Sequence, residues 1–327
     1  MKYNYVIFGY DSDLYRFSYK DVISLENVRY LDKLFGECGR ILSFIQRVHK
    51  SRIANKFLNL PLKHIWNSFY FVNDFKDNRP LCFIFTTDKA TYIQEYNYYN
   101  FLKNLYPDSR FVWFLSDILE SRSGKYNINL LKKYFDLIIS FDPKDCEKYG
   151  FIYHPLVFSS FKERIDEISA SDVYFLGQAK DRLSKIISVY EILQKKGLKC
   201  DFYITGVDKK DQIYSDEIKY NKRLSYAQNL QHAIHSKCLL EIMQKNGYGY
   251  TQRVVEILGL NKKLLTNNPI IKDAPFYNPE YISTFNAPDE IDMNFLNHIK
   301  DNKFIDYKYK EKISPKEFLY FIENHLN

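Results

Sequence analysis

Short, continuously apolar runs alternate with amphipathic ones through the first half of the chain. YNYVIF (3–8), LCFIFT (81–86), RFVWFL (110–115) and DLIISF (136–141) show no helical period and read as strands covered on both faces. LDKLFGECGRILSFIQRVH (31–49) and YIQEYNYYNFLKNLY (92–106) read as helices between or beside them. This alternation predicts a mostly parallel sheet flanked by helices. From His154 to Ser171 the strand period is lost, and Pro155 is followed by a charged stretch, which we read as an interdomain connection. A second alternation then begins: DVYFLG (172–177), a helix over Leu183 to Gln194, DFYITG (201–206) and a helix near Tyr226 to His235. It ends in a strand over Cys238 to Met243, a helix after Thr251 and a strand over Lys262 to Thr266. Lys308 to Lys312 reads as solvated linker, and Pro315 to Leu326 as a last amphipathic helix with Phe318, Leu319 and Ile322 on one side. The two halves repeat in pattern, not in sequence, so the expected fold is α/β, with two doubly wound domains, 1–156 and 172–313, facing across a cleft.

Composition narrows the picture in three respects. With 327 residues and 46% hydrophobic content the chain can bury two cores. A net charge of +7 favours an anionic partner, such as a nucleotide sugar, a lipid diphosphate or an anionic membrane surface, without choosing among them. Five scattered cysteines without C-x-x-C spacing predict free thiols in a reducing compartment. The first strand begins at once, and no apolar segment approaches the roughly 20 residues that span a bilayer, so a cytoplasmic protein with peripheral contact at the inner membrane face is expected.

Candidate chemistry collects where strands end. Ligands of wound sheets sit at the carboxyl ends of strands, which singles out Gly9, Tyr10 and Asp11 after the first strand, Asp117 after RFVWFLS, and Asp142 after DLIISF. Each is equally suited to a turn or a cap. If a transfer reaction inverts its centre, Asp117 is the preferred base and Asp11 the second. In the second half, Gly177 to Arg182 follows a strand and precedes a helix, so Lys180 and Arg182 could neutralise a departing diphosphate, or could form only a basic helix start. Thr205 and Gly206 end DFYITG, where a ligand could approach backbone closely. Thr251 reads as an N-cap behind the Gly247–Tyr250 loop, a position that presents free N–H groups to an anion. Arg253 and Glu256, three apart, can both point toward that loop; alternatively Glu256 complements the helix dipole and Arg253 is solvated. Asp11–Ser12–Asp13 spells D-x-D but directly follows the first strand, and His232 with His235 lacks a completing ligand set, so no metal site is expected. No G-x-G-x-x-G or Walker A sequence occurs.

Glu241–Ile242–x–Gln244, Gly247–x–Gly249–x–Thr251–x–Arg253–x–x–Glu256 and Asn261–Lys262–Lys263–Leu264–Leu265–Thr266–Asn267–Asn268 together resemble the signature of bacterial GT-B glycosyltransferases of capsule, exopolysaccharide and lipopolysaccharide synthesis. The resemblance is specific over this region and diffuse elsewhere. It implies two Rossmann-like domains, an N-terminal one for the acceptor and a C-terminal one for the donor, with the last helix (314–327) returning to the first. It also implies a hexosyltransferase with no cofactor, a UDP-linked sugar as donor, a glycan or lipid-linked acceptor and no nucleic acid partner; with Lys180, Arg182, Arg253 and helix N–H groups to meet the leaving-group charge, the transfer is expected to be metal-independent. Donor contacts would come from Gly177, Lys180, Arg182, Thr205, Gly206, Tyr226, Glu241, Gln244, Gly249, Thr251, Arg253 and Glu256. Tyr226 would stand where the base is held through backbone, and Glu256 would accept the ribose hydroxyls, so that Glu256→Gln weakens nucleotide binding with little effect on stability. Many retaining members carry a second Glu eight residues earlier, where this chain has Tyr248. The alternatives are a nucleotide-sugar epimerase or hydrolase, and a non-catalytic nucleotide-sugar-binding partner of a polysaccharide assembly complex.

Overall fold

A computed structural model describes residues 1–32, 39–58, 60–90, 97–119, 127–161, 168–245, 248–301 and 303–326. The chain forms two compact units, Met1–His154 with Lys316–Asn327, and Pro155–Pro315. In the first unit, β1 (Asn4–Phe8), β2 (Val28–Leu31), β3 (Leu81–Thr86), β4 (Arg110–Leu115), β5 (Leu137–Ser140) and β6 (Ile152–Tyr153) form a parallel sheet in the order β2-β1-β3-β4-β5-β6. Its interior is rich in aromatics: Phe8 stacks on Phe85 at 4.5 Å, and Phe83, Phe111 and Trp113 belong to the same cluster. Helices α1 (Asp13–Ser18), α2 (Arg40–Lys50), α3 (Arg52–Leu58), α4 (Tyr98–Leu105) and α5 (Pro143–Tyr149) lie along this unit.

The second unit contains β7 (Ser171–Gln178), β8 (Cys200–Thr205), β9 (Lys219–Tyr220), β10 (Ser236–Glu241), β11 (Lys263–Thr266) and β12 (Ile282–Thr284), all parallel, in the order β12-β11-β10-β7-β8-β9. In order of appearance these strands run 3-2-1-4-5-6 from β9, the doubly wound dinucleotide-binding arrangement, with its reversal between β7 and β10. Helices α6 (Leu183–Lys195), α7 (Tyr226–Ile234) and α8 (Gln252–Leu260) connect the strands. The last helix, α9 (Pro315–His325), buries Phe318, Leu319 and Ile322 completely, and Phe318 meets Phe114 of β4 at 4.6 Å. The Tyr5 hydroxyl donates to Glu323 at 2.8 Å, tying α9 to β1. The fold is thus α/β with two Rossmann-like sheets.

Several expectations shift. Leu31 ends a strand instead of starting a helix, because Tyr30 and Leu31 pair with Ile7 and Phe8 of β1. The strand expected over Cys238–Met243 runs from Ser236 to Glu241, set by pairing with β7 and β11. His232 is half-buried, its Nδ1 2.6 Å from Asp201 Oδ2. His235 is the C-cap of α7. The described cysteines, Cys82, Cys146, Cys200 and Cys238, are free; Cys38 lies outside the described residues. Among the described residues no helix is long and apolar enough to cross a membrane.

Candidate functional site

The reversal of strand order in the second sheet is where a crevice opens in such folds, at the carboxyl ends of β7 and β10. The turn Lys180–Arg182 leaves β7 there and is stitched to the end of β10. Lys180, exposed and held at a left-handed φ of 45°, donates from Nζ to Gln244 Oε1 at 2.9 Å. Arg182 donates to the Gln178 carbonyl from Nε and Nη2 at 3.1 and 2.9 Å, and from Nη1 to the Ile242 carbonyl. Asp181 accepts from the Lys245 N–H at 3.0 Å. Burial draws the Arg182 pKa down from its ordinary value. Gly177 leaves room for this arrangement, since a Cβ would lie 3.0 Å from Phe175 Cζ and 3.2 Å from Arg182 Nη2. Arg182 is therefore a clamp between two strand ends, and Lys180 is the cation an anion can reach.

Glu241, the last residue of β10, is a buried latch. Thr266, its register partner on β11, donates to Oε2 at 2.5 Å, and Thr251 donates to Oε1. Burial pushes the Glu241 carboxyl up, against the opposing pull of these two hydroxyls. Thr251 also caps α8 by accepting from the Arg253 N–H at 3.1 Å. Gly249, at φ 86°, offers its carbonyl to Asn268 Nδ2 at 3.0 Å; Gly247 lies outside the described residues. The latch thereby fixes the β10–α8 loop against the end of β11.

Arg253 and Glu256 do not project toward the loop, as their spacing allowed, but turn inward. Arg253 Nη1 donates to Glu256 Oε2 at 2.6 Å and Nη2 to the Leu176 carbonyl at 3.4 Å. Glu256 Oε1 accepts from Asn229 Nδ2 at 2.9 Å, and the residue is only 2% exposed. Packing of α8 on the sheet directs both side chains to β7, where the Arg253 guanidinium lies 5.4 Å from the Tyr174 ring centroid. Tyr226 joins through its side chain, its hydroxyl accepting from Gln252 Nε2 at 2.8 Å. Its phenol pKa is pushed well up, by burial first and then by the Glu256 charge. Asn229, which also accepts from the Tyr174 hydroxyl at 3.0 Å, went unnoticed in the sequence because one Asn in a helix carries no spacing signal. Thr205 ends β8 and Gly206 follows it, one strand away from the reversal. The Gly206 N–H, at φ 74°, donates to Asn221 Oδ1 at 2.9 Å and so is already engaged. On the other side of β10, a pocket of about 340 Å³ at the ends of β11 and β12 is lined by Asn267, Asn268, Lys272, Thr284, Asn286 and Glu290, among others.

In the first unit the order reverses between β1 and β3. Asp11 pairs with Arg16 at 3.3 Å, and Arg16 also meets Asp32. Asp13 is the first residue of α1 behind the Ser12 N-cap, and among the described residues no group of three or more possible ligands could hold a metal ion. Asp117 is half-buried and accepts from the Ile118 N–H at 3.0 Å; the loop Glu120–Lys125 lies outside the described residues. Asp142 is the N-cap of α5, accepting from the Lys144 N–H at 2.9 Å. The reversal also gathers a hydroxyl cluster that has no sequence motif. Thr87, buried at φ 26°, accepts from the Ser116 N–H at 3.0 Å, and Ser116 Oγ lies 2.8 Å from Thr87 Oγ1 and 2.6 Å from the Tyr15 hydroxyl.

No protein-family model and no curated protein matches the sequence. Solved structures do. An α-glucosyltransferase in complex with UDP-glucose and DNA containing an abasic site aligns with a TM-score of 0.56 at 14% identity, over 99% of this chain and 98% of that one. TarM aligns with a TM-score of 0.50 at 13% identity, over 76% of this chain and 55% of that one. A Glycosylation Associate Protein (Gap123) complex from Streptococcus agalactiae aligns with a TM-score of 0.50 at 9% identity, over 83% and 60%. The chain therefore spans little more than half the length of TarM and of the Gap123 component. At such identities the likeness is one of fold, and the fold is the pair of Rossmann-like units of the GT-B class.

Proposed function

We propose that the chain is a glycosyltransferase whose Pro155–Pro315 unit holds a nucleotide-sugar donor, UDP-linked, and whose first unit presents a glycan or lipid-linked acceptor in bacterial surface polysaccharide synthesis. The observation that carries this reading is the exposed, strained Lys180 at the β7/β10 reversal, whose side chain is bonded, among the described residues, to a solvent-exposed glutamine that an anion can displace. In this mechanism Lys180 meets the charge that develops on the departing diphosphate, and the Arg182 clamp keeps the turn in place. The N–H groups at the start of α8, aligned by Thr251 and Glu241, add the positive end of a helix dipole. With the charge met by protein groups, turnover is expected to survive EDTA. If transfer inverts the anomeric centre, Asp117 is the first candidate base and Asp11 the second. The +7 charge also suits peripheral contact with an anionic membrane.

A second reading, a non-catalytic nucleotide-sugar-binding partner, is favoured by two observations: both oxygens of Glu256 are engaged internally, and Tyr248 stands eight residues before it. The deciding experiment is a thermal-shift screen of nucleotide sugars, followed by turnover with a lipid-linked acceptor in the presence and absence of EDTA. A ligand at ~100 times its dissociation constant adds about 2.7 kcal/mol of stability. We expect a UDP-sugar to shift the wild type, Lys180→Ala to remove at least about tenfold of the affinity, and product to form in EDTA. A shift without turnover selects the binding partner. No shift with any nucleotide sugar sinks both readings.

A further inference from the structure

Between Gly39 and Val72 the chain carries six Lys or Arg residues and no Asp or Glu. Most of the large apolar side chains that stand exposed among the described residues fall in this same stretch. α2 is built inside out. Ile41, Phe44, Ile45 and Val48 stand at i, i+3, i+4 and i+7, one stripe of a helix, and the stripe faces solvent, with Ile41 79% and Phe44 61% exposed. One flank of the helix is the anchored one. Leu42 packs against the aromatic core of the first unit, and His49 accepts from the buried Trp66 Nε1 at 2.9 Å while its Nε2 lies 2.6 Å from the Pro61 carbonyl. The fold therefore holds the apolar stripe outward. In the next helix, α3, Phe57, 80% exposed, and Leu58 are exposed as well.

Water opposes such a surface by about 25 cal/mol per Å² of apolar area, and soluble monomers rarely show contiguous patches beyond a few hundred Å². Charge selects what covers it. A second copy would bring the same run of cations against itself, which is repulsive. Duplex nucleic acid would satisfy Arg40 and Arg47 but leave Ile41, Phe44 and Phe57 in water. Anionic headgroups above acyl chains accept both: the stripe enters the boundary, and Arg40 and Arg47, exposed beside it, meet the phosphates. We propose that the α2–α3 face of the first unit lies on an anionic lipid bilayer. This assignment stands with or without the transfer reaction, since it rests on the face alone.

The test uses the full chain and vesicles of phosphatidylcholine, with or without phosphatidylglycerol, in a sedimentation assay. We expect binding to the anionic vesicles that weakens with salt, and much weaker binding to phosphatidylcholine alone. Phe44→Ser with Ile45→Ser, and separately Arg40→Gln with Arg47→Gln, should each lower partitioning at least about tenfold with an unchanged circular dichroism spectrum, because these side chains are exposed. As an independent reading, tryptophan placed by Phe44→Trp should be quenched by bromine-labelled acyl chains. Equal binding to both vesicle types, full binding by either double variant, or no quenching of the new tryptophan would overturn the proposal. So would a dimer in buffer that Phe44→Ser dissociates, or duplex DNA binding that the arginine pair controls while vesicles are ignored.

Discussion

Glu256 shows how residue spacing and residue environment diverge. Three residues apart on a helix is enough to bring Arg253 and Glu256 together, but whether the pair faces a loop or the sheet depends on the rotation of α8 against β7. In the structure the pair faces inward, with the Arg253 side chain 11% exposed, so Glu256→Gln would leave a mostly covered guanidinium short of its charged partner. The expected outcome is a loss of roughly 1.5–3 kcal/mol of stability in urea denaturation, beside any loss of nucleotide affinity, where the role of a ribose contact implied little change. An unmoved midpoint would return the pair to the role of ligand contacts. Asp201 makes the same point from the other direction. Burial alone would raise its carboxyl, but bonds from His232 and Lys219 outweigh that and hold its pKa below the ordinary value. The unfolded chain therefore takes up this proton first as pH falls, so the contribution is full above the ordinary aspartate pKa of about 3.9 and is lost below it. Asp201→Asn should flatten that part of the acid stability profile, and an unaltered acid limb would show that the triad carries no linkage.

At the scale of elements, β10, its loop and α8 were legible because each announces itself: an apolar run, glycines, then a Thr cap before recurring valines and leucines. What the pattern could not show is what each element presses on. Gly259 lies inside α8, where helix propensity favours alanine by about 1 kcal/mol. Yet a Cβ there would sit 2.3 Å from the ring of Phe158, which is itself buried. Gly259→Ala should therefore destabilise the second unit by about 1–3 kcal/mol, and Gly259→Ala with Phe158→Leu should recover part of the loss. A stabilised Gly259→Ala protein, measured by thermal melting, would mean that the ring moves freely.

Across the whole molecule the last helix is the longest-range link within a unit, joining residues near 318 to β1 and β4 at the other end of the chain. Phe318, Leu319 and Ile322 are fully buried there, and burying such a side chain contributes about 1.5–3 kcal/mol. A chain stopped after Ser314 should melt its first unit at a lower temperature than the full chain and bind a hydrophobic dye in native buffer; an identical melting curve would show that α9 is dispensable. All the interior strands, β1, β3, β4 and β5 in one sheet and β7, β8, β10 and β11 in the other, contain apolar runs that can be read from the chain, since a strand covered on both faces by helices is apolar at most of its positions. The edge strands β2, β6, β9 and β12 were invisible: with two to four residues and one neighbour each, they are strands because a partner's backbone pairs with them. The site divides along the same line. Lys180, Thr251 and Glu256 can be named from strand ends and spacing, which depend on local chemistry, and Glu241 from the resemblance of its segment to a known signature. That Arg182 clamps two strands, that Asn229 holds Glu256, that Thr87, Ser116 and Tyr15 meet, and that α2 carries its apolar stripe outward follow from contacts between residues far apart in the chain, which arise only when the sheets close.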